Sequence, residues 1–168
     1  KGNFDAAQTR VKKMFSNKEL AKVMNDNGFQ FSSANSINIG RLVPQVVYYV
    51  KAYADLLKQG ALKAGEPMNV VVPTGNFGNI LASYYAKQMG IPIGKFVCAS
   101  NKNKVLFDFF ETGKYDRNRE FYVTTSPSMD ILISSNLERM IYRIAGNDAK
   151  QCAKFMAALT KDGEYVIT

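Results

Sequence analysis

The sequence predicts an α/β fold: three layers, with a mainly parallel central sheet flanked by helices. Three observations carry this. Apolar runs of strand length occur at Met68–Val72 and Phe96–Ala99. Segments with apolar residues at three- and four-residue spacing lie before, between and after them. The two kinds of segment alternate, the order in which a parallel sheet is built with helices covering both faces.

Element by element, Asp5–Phe15 reads as a helix whose apolar members are Ala6, Ala7, Val11, Met14 and Phe15. Glu19–Met24 continues the helical character until the turn cluster Asn25–Gly28. Phe29–Phe31 alternates like a short strand, and Ser32–Ser36 is a polar loop rich in capping side chains. A long helix follows, with Ile39, Leu42, Val43, Val46, Val47 and Val50 on one apolar face. Pro44 removes a hydrogen bond and presses on the carbonyl of Gly40, so a kink is expected. Leu56 and Leu57 extend the helix towards Gly60. Met68–Val72 is read as a buried strand and Thr74–Asn79 as a tight loop. A second helix contains Ile80, Leu81, Tyr84, Tyr85 and Met89 and stops at Gly90 and Pro92. Phe96–Ala99 is a strand, Val105–Phe110 a short helix and Phe121–Thr124 a strand candidate. Leu137, Met140, Ile141 and Ile144 mark a third helix, and Cys152, Phe155, Met156 and Leu159 a fourth.

Composition narrows the functional classes. The chain has 168 residues, 46% hydrophobic and 21% charged, enough for one domain with a core. No apolar run approaches the roughly 18 residues of a membrane helix. Both ends read as cuts, so residues 1–168 are expected to form a single α/β domain or a segment of a larger region. The net charge of +8 is scattered along the chain, which predicts a solvated surface and neither a nucleic-acid nor a membrane partner. Two distant cysteines without a CxxC pattern predict a reducing, cytoplasmic setting, with Cys98 a buried thiol. The absence of histidine removes serine–histidine triads and histidine metal sites from this chain. No metal ligand set is expected.

Two segments remain as candidate sites. Thr74-Gly75-Asn76-Phe77-Gly78-Asn79 joins a strand to a helix. A helix N-terminus favours an anion through its free N–H groups, and two glycines let the backbone approach a phosphate closely. It fits neither the Walker A loop nor GxGxxG, and the same spacing fits an ordinary turn that binds nothing. Ser33–Arg41 brings hydroxyls, amides and an arginine to the start of a helix. Arginine suits phosphate or carboxylate recognition. On its own, however, the segment reads more simply as a helix cap with a surface arginine.

Taken together, Ser33-Ala34-Asn35-Ser36-Ile37-Asn38-x-x-Arg41-x-x-x-Gln45 and Val72-Pro73-Thr74-Gly75-Asn76-Phe77-Gly78-Asn79 resemble threonine synthase. Gly2-Asn3-Phe4-Asp5-x-x-Gln8, Ser126–Ile131 and Ser134–Arg139 resemble the same family. The resemblance covers essentially the whole chain and about the middle third of the family's length. It implies a fold-type II enzyme dependent on pyridoxal 5'-phosphate (PLP), which converts O-phospho-L-homoserine and water to L-threonine and phosphate in amino-acid biosynthesis. By that likeness Gly75, Asn76, Phe77, Gly78 and Asn79 cradle the cofactor phosphate. Ser33, Asn35, Ser36, Asn38 and Arg41 contact substrate or cofactor. Ser126–Arg139 is given no definite role, since loop and helix packing accounts for it equally well. The family's Schiff-base lysine lies in a Phe-Lys-Asp motif before the glycine loop, and this chain has no such motif. The resemblance therefore implies no catalytic residue here, and it makes the remainder of the same polypeptide a necessary partner.

Overall fold

The computed structural model describes residues 4–34 and 37–167, with only the backbone described for Phe4, Asp5 and Gln8. The chain opens with α1 (Phe4–Ser16) and α2 (Lys18–Asp26). Asn17 separates them and caps α2, its side-chain oxygen accepting the Leu20 N–H at 3.0 Å. No residue of α2 is buried, so this pair lies at the periphery.

The kink expected at Pro44 is a change of helix type. α3 (Ile39–Leu42) passes into a 3-10 turn at Val43–Gln45 and then into α4 (Val46–Lys58). The buried face differs from the expected one. Leu42, Val46, Tyr49 and Tyr53 are buried, while Ile39, Val43, Val47 and Val50 are exposed. The two tyrosines bury more apolar surface than the valines and still find polar partners for their hydroxyls. The Tyr53 hydroxyl accepts the Gly65 N–H at 3.0 Å, and the Tyr49 hydroxyl reaches Asn79.

β1 (Met68–Pro73), α5 (Gly78–Gln88) and β2 (Ile93–Ala99) form the centre. β1 and β2 pair in parallel, with Val70 opposite Phe96 and Val72 opposite Cys98. α5 packs against both strands and α6 (Val105–Thr112) against β2, and α4 and α7 (Leu137–Ile144) pack on α5. This is the expected α/β architecture, a parallel sheet flanked by helices. β1, however, is half-buried. Met68, Val70 and Val72 face the core, whereas Val71 and its register partner Val97 are exposed. The run is apolar in composition, but its burial alternates with the pleat.

A second, antiparallel pair joins β3 (Lys114–Asp116) to β4 (Glu164–Val166), which follows α8 (Ala149–Lys161). Tyr115 and Tyr165 sit opposite each other with rings stacked at 5.2 Å. β3 was not expected, since three residues carry no readable periodicity. Phe29–Phe31 and Phe121–Thr124 are not strands. Phe31 packs its ring on Phe15 at 5.4 Å. The N–H groups of Tyr122 and Thr124 donate to the side chains of Asn103 and Asp130 in place of a neighbouring strand. No helix among the described residues is long and apolar enough to cross a membrane.

Candidate functional site: an anion cradle at the start of α5

The loop between β1 and α5 is held from behind by its carbonyls. The Thr74 N–H donates to the Ala99 carbonyl at 2.8 Å, tying the loop's start to the end of β2. The Ser134 hydroxyl donates to the Gly75 carbonyl at 2.7 Å. The Asn76 carbonyl accepts from both the N–H and the side-chain amide of Asn136, each at 3.0 Å. In a trans peptide a carbonyl and the following N–H point in opposite directions. With the carbonyls of Gly75 and Asn76 turned towards Ser134 and Asn136, the N–H groups of Asn76 and Phe77 point away from them.

Phe77 then adopts a left-handed conformation, φ 63° and ψ 7°, and α5 begins at Gly78. A left-handed residue next to a helical one curves successive N–H groups into an anion-binding concavity. The first bond into α5 is from the Leu81 N–H to the Phe77 carbonyl at 3.2 Å. Among the described residues, none of the N–H groups from Gly75 to Ile80 has an acceptor. The loop lines a pocket of about 230 Å³ together with Gln45, Ser128 and Met129.

The reasons for these residue types are partly unexpected. The left-handed residue is Phe77, while Gly75 has no positive φ. Gly75 is favoured by proximity instead: a Cβ there would lie 3.0 Å from the Ser128 carbonyl oxygen, a tight contact with backbone. The unfavourable conformation of Phe77 is held by its ring, which is 3% exposed and packs 6.1 Å from Phe110. Asn79 is exposed, and its side-chain oxygen accepts from the Tyr49 hydroxyl. Burial raises the Tyr49 pKa, with a hydrogen bond from Ser83 opposing it, so Tyr49 remains a neutral donor at ordinary pH. Among the described residues no donor reaches the buried Asn76 side-chain oxygen. An array of unused N–H groups at a helix N-terminus, with a glycine that lets the backbone run close to its neighbours, fits a phosphate-bearing group.

The other predicted residues are placed as follows. Asn38 caps α3: its side-chain oxygen accepts the Gly40 N–H at 2.9 Å, and its amide donates to the Ser33 carbonyl at 3.1 Å. Arg41 is exposed and donates through Nε to the Ala34 carbonyl at 3.1 Å. Asn35 and Ser36 lie outside the described residues. Among those described, Ser33, Asn38 and Arg41 do not line the loop pocket. The connection to it runs through Gln45, whose amide donates to the Arg41 carbonyl at 2.9 Å. Arg139 holds the same segment from the other side, donating to the Ile37 carbonyl at 2.7 Å.

Sequence reasoning left Ser126–Arg139 without a role, and the structure puts that stretch around the loop. Ser128 and Met129 line the pocket, while Ser134 and Asn136 hold the loop's carbonyls. Its likeness to a family was the one available signal, and that signal named no partner. Asp130 within it is held below the usual carboxylate range, first by the Thr124 N–H and then by the Thr124, Asn101 and Asn103 side chains, against the effect of burial. Cys98, expected to be buried, is half-buried. Burial still pushes its thiol up, with Thr74 opposing, which argues against a reactive thiolate.

No family model matches the chain. It is 50% identical over 167 residues to Threonine synthase-like 1 of Homo sapiens, covering 98% of this chain and 22% of that protein. It is 37% identical over 169 residues to a threonine synthase of Pseudomonas aeruginosa, covering 99% of this chain and 33% of that protein. Two solved structures are similar. A PLP-bound threonine synthase from Brucella melitensis matches with TM-score 0.83 and 42% identity, over 100% of this chain and 34% of that one. The yeast threonine synthase matches with TM-score 0.80 and 34% identity, over 99% of this chain and 33% of that one. The chain thus spans between a fifth and about a third of the length of these relatives.

Proposed function

We infer that this chain, homologous throughout to a segment of the threonine synthases, supplies the cofactor-phosphate cradle and part of the substrate cleft of a PLP-dependent lyase. The reaction is conversion of O-phospho-L-homoserine and water to L-threonine and phosphate. The observation that carries the reading is the loop at Gly75–Asn79, whose N–H groups are unused while its carbonyls are tied down behind it.

Gly75, Asn76, Phe77, Gly78 and Asn79 would hold the cofactor phosphate through backbone N–H groups and the start of α5. When bound, PLP supplies an electron sink for negative charge developing on the substrate's carbon framework. The orphaned Asn76 oxygen is available to a donor on the bound molecule. Ser33, Asn35, Ser36, Asn38 and Arg41 are assigned to substrate or cofactor contact, with Gln45 linking Arg41 to the loop pocket. The amine that completes the chemistry is assigned to the remainder of the same polypeptide, and residues 1–168 to one domain or segment of it. A cytoplasmic location accords with the two free thiols.

The test is turnover of O-phospho-L-homoserine by the full polypeptide, beside serine, threonine and O-acetylserine. The panel matters because identity to Threonine synthase-like 1 exceeds identity to the threonine synthase of Pseudomonas aeruginosa. Threonine and phosphate are expected in equal amounts. Turnover of another substrate without turnover of O-phospho-L-homoserine overturns the assignment. The 168-residue chain alone is expected to release no phosphate above background and to show no stoichiometric PLP absorbance from a single modified lysine. Either signal would place the catalytic amine within this chain.

A further inference from the structure

Asp130 is a carboxylate that the cradle does not contact directly. It is 3% exposed, and among the described residues no ion pair reaches it. Its partners are neutral donors. Oδ1 accepts from the Asn101 amide and the Thr124 hydroxyl, both at 2.7 Å, and from the Asn103 amide at 3.2 Å. Oδ2 accepts from the Thr124 N–H at 2.8 Å. Burying a carboxylate without a cation is costly, so its presence calls for an explanation in geometry.

The geometry lies on both sides of the carboxylate. On one side, Asn101 follows β2 two residues after Ala99, whose carbonyl holds the Thr74 N–H at the start of the loop. On the other, Asp130 closes the 3-10 turn Pro127–Met129, its N–H donating to the Pro127 carbonyl at 3.2 Å. That turn presents the Ser128 carbonyl to Gly75 so closely that a Cβ would lie 3.0 Å away. Ser128 and Met129 line the loop pocket. The path from Thr74 through β2, Asn101, Asp130 and the turn back to Gly75 is therefore a closed circuit, and Asp130 is its joint.

We propose that Asp130 is a positioning residue for the cradle: by tying the end of β2 to the Pro127–Met129 turn, it sets the spacing between Gly75 and Ser128 and hence the affinity for a phosphate-bearing ligand. The proposal rests on the phosphate-cradle reading above. Asp130→Asn keeps the size of the side chain but turns a donor towards donors. Thr124→Val removes one hydroxyl from the network, and Thr124→Ser restores it.

In the full polypeptide, inorganic phosphate and PLP are titrated well below the melting temperature, and melting is recorded without ligand. Asp130→Asn is expected to weaken both ligands on the order of tenfold or more, because small displacements of a binding wall are felt strongly. Thr124→Val falls between, and Thr124→Ser returns to the wild-type affinity. A lower melting temperature with unchanged affinities would show a merely structural role and overturn the proposal. If Asp130→Asn does not fold, Thr124→Val decides: unchanged affinity overturns the proposal, and weakened affinity restored by Thr124→Ser supports it. Failure of the wild type to bind either ligand removes the cradle reading, and the proposal with it. Wild-type binding with unaffected variants removes the positioning role alone.

Discussion

Ser134→Ala tests whether the loop's carbonyl anchors orient its N–H groups. The Ser134 hydroxyl is buried and donates to the Gly75 carbonyl at 2.7 Å, for which no other donor is found among the described residues. Deleting it leaves a buried carbonyl unsatisfied, a cost of about 1–3 kcal/mol. That cost has two outlets. If the loop keeps its shape, the whole amount appears as lost stability. If the peptide between Gly75 and Asn76 rotates to find water, the Asn76 N–H leaves the cradle and the cost appears as lost affinity. Since about 1.4 kcal/mol is a factor of ten, the second outlet weakens phosphate binding roughly 5- to 140-fold. Urea unfolding without ligand and titration with inorganic phosphate, both on the full polypeptide, measure the two outlets separately. Their losses should sum to the range given. A variant that matches the wild type in both to within about 0.3 kcal/mol would refute the anchoring argument.

Three other perturbations follow from the same geometry. Gly75→Ala drives a Cβ to 3.0 Å from the Ser128 carbonyl oxygen; it should cost about 1–3 kcal/mol and weaken phosphate binding in the same titration. Tyr115→Phe removes a hydroxyl that donates to the Leu132 carbonyl at 3.0 Å and accepts the Ser134 N–H at 2.9 Å, so thermal unfolding should show a loss of about 1–3 kcal/mol. Asp130 has a folded pKa below its ordinary 3.8, so its contribution to stability is present above that value and disappears as pH falls through the lower folded value. Acid titration of the urea midpoint should therefore be steeper in the wild type than in Asp130→Asn, and equal slopes would count against the assigned shift.

The legible parts of this protein were those encoded locally. The glycine loop was found because a strand, a turn and a helix follow one another within a few residues. The helices α5, α7 and α8 were found because their periodicity runs over two turns or more. The features that complete the site are encoded at a distance. Ser134 and Gly75 are 59 residues apart in sequence, and Asn136 and Asn76 are 60 apart, so no local pattern links them. The left-handed conformation fell on Phe77 because packing of a ring outweighed the usual preference for glycine. The buried face of α4 was misassigned for a similar reason: Tyr49 and Tyr53 have hydroxyl partners on other elements, which valine counting does not see. Phe121–Thr124 looked like a strand, yet its N–H groups found side-chain acceptors on Asn103 and Asp130.

Phe77 has an N–H with no acceptor among the described residues and a ring in the hydrophobic core. A binding loop is ordinarily a separate, weakly stable unit that opens without the rest of the fold. Here, opening the loop at Phe77 withdraws a buried ring from its contacts, so the loop and the core into which that ring packs should lose structure together. Mass action then reaches the core directly: a ligand at a hundred times its dissociation constant adds about 2.7 kcal/mol to the unfolding free energy. Amide exchange would register this as slower opening in the core of α5, around Leu81 and Ala82, and not at the loop alone.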